Sequence, residues 1–191
     1  MNETGEKVIA EALVWGQGGP LFELFLEPTC PFSAIAFGKL DDLRSEMGEQ
    51  GVTVRIWLHS QPWHMFSGII CRAILAASTT EGGKEAAKQV MAAVFADQPG
   101  FEFDHHCEGP NLDVTPNALL DRIEDAIGVA LRDAFGVYAL DREIKRHTKY
   151  ARQNGIHVSP TFMIDGLVND GIGSRDPVES WISVLHASAA N

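Results

Sequence analysis

The sequence predicts an α/β protein in which one small sheet is split along the chain by an all-helical insertion. Three observations carry this expectation. A short, bulky apolar run, "LFELFLE" (21–27), leads through a helix-period stretch into an alternating run, "VTVRIWL" (52–58). From about 67 to 154 the chain carries helical periodicity only. Strand signals then return in "PTFMIDGLVN" (160–169), and an amphipathic helix closes the chain.

The elements follow in order. "VIAEALVW" (8–15) reads as a strand that "GQGGP" breaks. The run 21–27 is nearly all apolar, as suits a strand buried on both faces in the middle of a parallel sheet. Phe32, Ala36, Leu40, Leu43 and Met47 recur at three- and four-residue steps, one face of a helix that Gly51 is expected to stop. Val52, Val54, Ile56 and Leu58 alternate with Thr53, Arg55 and Trp57, which marks a strand. Strand, helix and strand in that order make a βαβ unit with a parallel pair.

"GIICRAILAAS" and "KEAAKQVMAAVFA" are helices, followed by the loop "DQPGFEFDHHCEGPN". Thr115 as N-cap and Pro116 in the first turn open "NALLDRIEDAIGVAL". The next helix, "LDREIKRHTKYARQ", stops at Gly155. Asp165-Gly166 is a hairpin turn signal. Asp176, Pro177 and Glu179 then cap a helix with an apolar stripe of Val178, Trp181, Ile182 and Leu185.

Composition narrows the function classes. A chain of 191 residues at 45% hydrophobic can bury a sizeable core. Its formal charge of -11 argues against nucleic acid and against anionic membrane surfaces. The N-terminus lacks a basic region followed by an apolar one, and no apolar run approaches the roughly 20 residues of a span. The three cysteines, Cys30, Cys71 and Cys107, are too few and too odd in number for a disulfide framework. The expectation is a reduced, cytoplasmic protein.

Chemistry concentrates at Cys30, at the junction of a buried strand and a helix. Pro31 suits the first helical turn, which makes Cys30 the cap residue. The free N–H groups and dipole of a first turn favour negative charge, and the thiolate is the nucleophilic form of sulfur. A reactive thiol is expected there, whereas Cys71 in "GIICRAILAA" reads as core. Asp104, His105, His106 and Cys107 are adjacent residues without a second ligand cluster at zinc spacing, so no metal site is expected. Cys107 remains a candidate distant resolving thiol. Trp63 and His64, in "HSQPWHMFSG", leave the second strand at its carboxyl end and either line a substrate groove or seal the seam to the helical block.

Cys30-Pro31-Phe32-Ser33, "VSPTFMIDG" (158–166) and the helical insert together resemble the DsbA-like branch of the thioredoxin fold. The resemblance spans most of the chain. It implies a thioredoxin-like domain formed by 1–66 and 155–191 and an inserted helical domain at 67–154. It implies that Cys30 attacks, that Pro160 is a cis-proline facing it, and that Ser159 offers backbone hydrogen bonds to an extended peptide or to glutathione. Pro31 and Phe32 would border the same substrate site.

Two departures from the family pattern matter. Ser33 stands where redox members carry a second cysteine, which excludes dithiol oxidation within the motif and leaves mixed disulfides to an external thiol. Ser33 is instead expected to donate a hydrogen bond to the Cys30 thiolate. Leu24 stands where many relatives have a buried acid; Glu23 and Glu27 are nearby, with directions that alternation leaves open. The leading expectation is a monothiol thiol-disulfide exchange protein acting on a thiol or disulfide substrate, with glutathione as a candidate co-substrate and no bound cofactor. The alternatives are a glutathione-binding transferase or isomerase similar to the kappa class, which uses serine at the position of Cys30, and a non-redox peptide-binding module.

Overall fold

The computed structural model describes residues 10–104 and 108–189. Its sheet has five strands in the order β1-β3-β2-β4-β5: β1 (Val14–Trp15), β2 (Leu21–Leu26), β3 (Thr53–Leu58), β4 (Thr161–Ile164) and β5 (Leu167–Asn169). The expected parallel pair is β2 with β3, in register Leu24 to Ile56. β4 returns antiparallel on the other side of β2, with Leu24 opposite Phe162. The Asp165-Gly166 hairpin forms as its residue types require, both positions lying at positive φ (50° and 85°).

β2 is the central strand, and its apolar run is buried on both faces for that reason. Phe22, Leu24 and Leu26 enter the main core, with Leu43, Ile70, Ile74 and Trp181 from surrounding helices. Phe25 enters a smaller cluster with Trp57, Met163, Ala151 and Ile156 on the opposite face. Helices α3 (Ser67–Ala77), α4 (Gly83–Ala96), α5 (Pro116–Ile127), α6 (Arg132–Phe135) and α7 (Ala139–Gln153) lie between β3 and β4 in the chain. Buried residues of α3, α4 and α5 belong to the same continuous core as β2 and β3. Thr115 caps α5 as expected, its hydroxyl accepting the Ala118 N–H at 3.2 Å.

The structure departs from the sequence reading in several places. The first strand is only β1, two residues long; part of the expected run lies outside the described residues. The helix after Cys30 is two helices, α1 (Pro31–Phe37) and α2 (Leu40–Met47), since Lys39 N–H bonds to the Ala36 carbonyl and tightens the turn. The Lys39 ammonium then reaches the Ser174 carbonyl at 2.6 Å and the Asp176 carbonyl. Gly48, at φ 74°, ends α2 rather than Gly51. Gly51 instead packs so closely that a Cβ would meet the Met47 carbonyl oxygen at 1.9 Å. α5 stops at Ile127 because Gly128 takes a left-handed conformation, and α6 follows as a separate turn. Beyond β5, α8 (Val178–Ala189) packs Trp181 and Leu185 into the core. Asp176 accepts the Gly173 N–H at 2.7 Å. Among the described residues no helix is long and apolar enough to cross a membrane.

Candidate active site

The carboxyl end of β2 runs into a turn that aims the chain at α1. Cys30 N–H bonds to the Glu27 carbonyl at 3.2 Å, and Ala34 N–H bonds to the Cys30 carbonyl at 3.0 Å, which starts the helix with Cys30 in extended geometry as its cap. Pro31 is the first helical residue, where its missing N–H costs nothing. Cys30 is 6% exposed, and its Sγ lies 3.8 Å from the Ser159 carbonyl oxygen, positioned to donate to it. The Ser159–Pro160 peptide is cis. Two segments far apart in the chain thus meet at the thiol.

Ser33 is buried, and its hydroxyl accepts the Glu27 N–H at 3.2 Å. No Ser33 bond to Cys30 occurs among the described residues; the hydroxyl ties the first turn of α1 back to the end of β2. Phe32 is half exposed, with the Arg175 guanidinium 4.9 Å from its ring centroid. In the loop after β3, Trp63 and Met65 are well exposed, while Phe66 is buried and meets Phe103 edge-to-face. Cys71 is buried in α3, and burial, with the Glu27 charge second, pushes its thiol up. Cys107, with His105 and His106, lies outside the described residues; Asp104 bridges to Glu108 by backbone hydrogen bonds.

Leu24 is fully buried between Ile56 and Phe162, and no acid stands there. The buried acid at the end of β2 is Glu27, three residues before Cys30 in the chain. Its Oε2 accepts from Thr29 N–H at 2.7 Å and from the Thr29 hydroxyl at 2.9 Å, and lies 3.3 Å from His64 Nδ1. Its Oε1 is buried without a hydrogen-bond partner among the described residues. Burial holds the Glu27 carboxyl above its usual range; the nearby Ser67 hydroxyl, the His64 imidazole and Thr29 offset this only in part. His64 Nδ1 also lies 2.8 Å from Glu102 Oε1 and 2.8 Å from the Thr29 hydroxyl. Of the residues gathered here, the sequence singles out Cys30, Ser33, His64 and Pro160 but not Thr29, Ser67 or Glu102. No local signal marks them, since Glu102 arrives from a loop 75 residues beyond Glu27 in an otherwise helical block.

No family model matches the sequence, and no curated protein does. Solved structures do. A "putative protein-disulfide isomerase" from Pseudomonas syringae is 63% identical, aligned over 91% of this chain and 97% of its own, with a TM-score of 0.89. Pseudomonas aeruginosa DsbA2 shares the fold at 18% identity, aligned over 97% of this chain and 98% of its own, with a TM-score of 0.65. BdbD from Bacillus subtilis shares it at 15% identity, over 97% and 100%, with a TM-score of 0.66. A relative this similar over almost its whole length carries the assignment: the chain belongs to the same family as this "putative protein-disulfide isomerase" and has the DsbA-like thioredoxin fold.

Proposed function

We propose that the protein performs thiol-disulfide exchange through Cys30 alone, with mixed disulfides released by an external thiol. The observation that carries this reading is a thiol facing the Ser159 carbonyl with a serine, not a cysteine, one helical turn on. The Cys30 thiolate attacks one sulfur of a disulfide, forms a mixed disulfide with it and expels the other sulfur as a thiolate. A second thiolate then attacks the substrate sulfur of the mixed disulfide and returns Cys30 as a thiolate. One disulfide is consumed and one is formed, so the cycle shuffles partners without net oxidation.

Ser33 supplies no second sulfur, and its hydroxyl serves the turn by accepting from Glu27 N–H. Cys71 is a poor resolver, because burial keeps it from substrate and holds it protonated. An extended peptide or glutathione would lie along Ser159 and Pro160, bordered by Pro31, Phe32, Trp63 and His64. The exposed rings of Phe32 and Trp63, with Met65 and Val158, favour an apolar peptide. Glutathione enters this scheme as a co-substrate thiol.

The test is intact mass after incubation with oxidised glutathione. One glutathione adduct is expected, mapped to Cys30, removed by excess thiol and absent from Cys30→Ser. Tight non-covalent glutathione with no adduct would favour the transferase reading. Neither outcome would leave the peptide-binding module.

A further inference from the structure

We propose that Glu27, His64 and Glu102 form a binding site for a divalent transition-metal ion, with zinc the best match to their chemistry. This goes beyond the thiol chemistry and stands without it. The three side chains come from the end of β2, the loop after β3 and the turn after Gln98–Phe101, and their ligand atoms all lie within 4.8 Å of one another.

Two features ask for a cation. First, the cluster holds more acceptors than protons. His64 Nδ1 carries at most one hydrogen, yet Glu102 Oε1 and the Thr29 oxygen each lie 2.8 Å away and Glu27 Oε2 lies 3.3 Å away. The Thr29 hydroxyl already bonds to Glu27 at 2.9 Å. No lysine or arginine among the described residues pairs with either carboxylate. Second, Glu27 Oε1 makes no hydrogen bond of ordinary geometry although the side chain is fully buried, with the Ser67 hydroxyl the further polar group near the carboxyl. An orphaned carboxylate oxygen in such a place calls for an ion or water.

Spacing and ligand type point to the class of ion. One imidazole nitrogen with two carboxylate oxygens suits zinc and its first-row neighbours better than calcium or magnesium. Bonds of about 2.0–2.2 Å in a tetrahedral site set neighbouring donors roughly 3.3–3.6 Å apart. The His64–Glu27 separation of 3.3 Å already matches. The His64–Glu102 pair has to open by roughly half an ångström, which the Glu102 side chain, 31% exposed, can supply. The imidazole would bind through Nδ1, carrying its proton on Nε2. A supporting shell is in place: Asn111 Nδ2 donates to the Glu102 and Pro99 carbonyls, and Gln98 donates to the Thr29 carbonyl.

The test titrates zinc into the reduced, metal-free full chain against a chromophoric chelator. Glu102→Gln and Glu27→Gln should each lower zinc affinity by about tenfold or more. Glu102→Gln alters a part-exposed group and should keep the fold, checked by circular dichroism. Zinc should also raise the melting temperature of the parent but not of Glu102→Gln. Cobalt in the same site should give weak visible bands of nitrogen and oxygen ligation without a sulfur charge-transfer band. Absence of binding, affinity unchanged in both variants, or a cobalt spectrum dominated by thiolate would each overturn the proposal. Since Cys30 is no ligand, glutathione adduct formation on Cys30 tests the exchange reading separately.

Discussion

Glu23 and Glu27 lie four residues apart around the central strand, both fully buried, yet their surroundings are opposite in kind. Glu23 is closed in. Trp57 Nε1 donates to one oxygen at 2.8 Å, Tyr150 donates to the other at 3.1 Å, and Arg55 lies 3.8 Å away. Phe25, Trp57 and Tyr150 stack around it. Glu27 is less fully closed in: one oxygen has no hydrogen-bond partner among the described residues, while the other accepts from Thr29 N–H and the Thr29 hydroxyl and lies 3.3 Å from His64 Nδ1. A buried acid with a donor on each oxygen is part of the architecture; one with an oxygen left unpartnered is available to a ligand.

The largest expected effect tests that contrast on stability. Glu23→Ala would leave the Trp57 and Tyr150 donors and the Arg55 charge without their acceptor, at a cost of about 3–5 kcal/mol. Glu27→Gln keeps an oxygen for Thr29 and should shift stability by about 1 kcal/mol or less. Urea unfolding midpoints of the two variants decide it, and equal losses would erase the distinction. In the folded fraction, Glu23→Ala should leave the alkylation rate of Cys30 unchanged.

The two described thiols extend the contrast to reactivity. Cys30 should react with iodoacetamide in the native protein, and Cys71 only on unfolding, because burial both hides it and pushes its thiol up. Peptide mass mapping with and without urea reads both. Native labelling of Cys71 at a rate like that of Cys30 would mean that α3 opens readily and would make Cys71 a candidate resolver.

Much of this was legible in the sequence, for local reasons. The apolar run of β2, the Thr115-Pro116 cap and the Asp165-Gly166 hairpin each follow from residue types acting on their own backbone. The placement of Cys30 as the cap of α1 was legible because a cysteine before a proline at a strand end constrains its own geometry. The break between α1 and α2 was hidden, since the apolar period runs on unbroken through Gly38 and Lys39, while the Lys39 ammonium is held by carbonyls more than 130 residues away. The meeting of Glu27 with His64 and Glu102 was hidden too. Strand alternation says nothing once the strand has ended at Leu26, and the partner comes from a loop in the helical block.

The closed region should also set the response to acid. His147 accepts the Leu58 N–H at 2.9 Å through an unprotonated Nδ1, packs edge-on against Trp57 and faces Glu143 with its other nitrogen. Burial holds its pKa below the usual 6.5, against the pull of Glu143 and with a push from Arg146. Glu143 is lowered to about 2, mainly by its contact with His147 and then by Arg146. For both groups the unfolded chain binds protons more readily, so their stabilisation is complete above the unfolded pKa and is lost as pH falls. The melting temperature should therefore decline in two stages, first below about pH 6.5 and again from about pH 4.5 toward pH 2. In His147→Gln, which can still accept from Leu58, the upper stage should disappear. A flat profile between pH 7 and 5 would show that His147 already titrates normally in the fold.

The smallest effect on stability belongs to Ser33, and it changes the chemistry in kind. Its hydroxyl accepts one buried backbone N–H, from Glu27, at 3.2 Å. In Ser33→Cys the thiol is a weaker acceptor of similar size, so the loss should be about 0.5–1.5 kcal/mol. The new sulfur stands one helical turn from Cys30, at the start of α1. A disulfide needs Cα atoms about 4.4–6.8 Å apart, a separation that three residues of a first helical turn provide. The variant should form a 30–33 disulfide in oxidising buffer and gain dithiol turnover, such as insulin reduction, that the parent lacks. Two electrons would then leave or enter within the motif, whereas in the proposed monothiol cycle they pass only between outside thiols. Robust dithiol turnover by the parent would reveal a hidden resolver, with Cys107 the first to examine. If Ser33→Cys folds but forms no 30–33 disulfide, the turn holds Cys30 facing away from α1, and a binding role for the open end of β2 becomes the better reading.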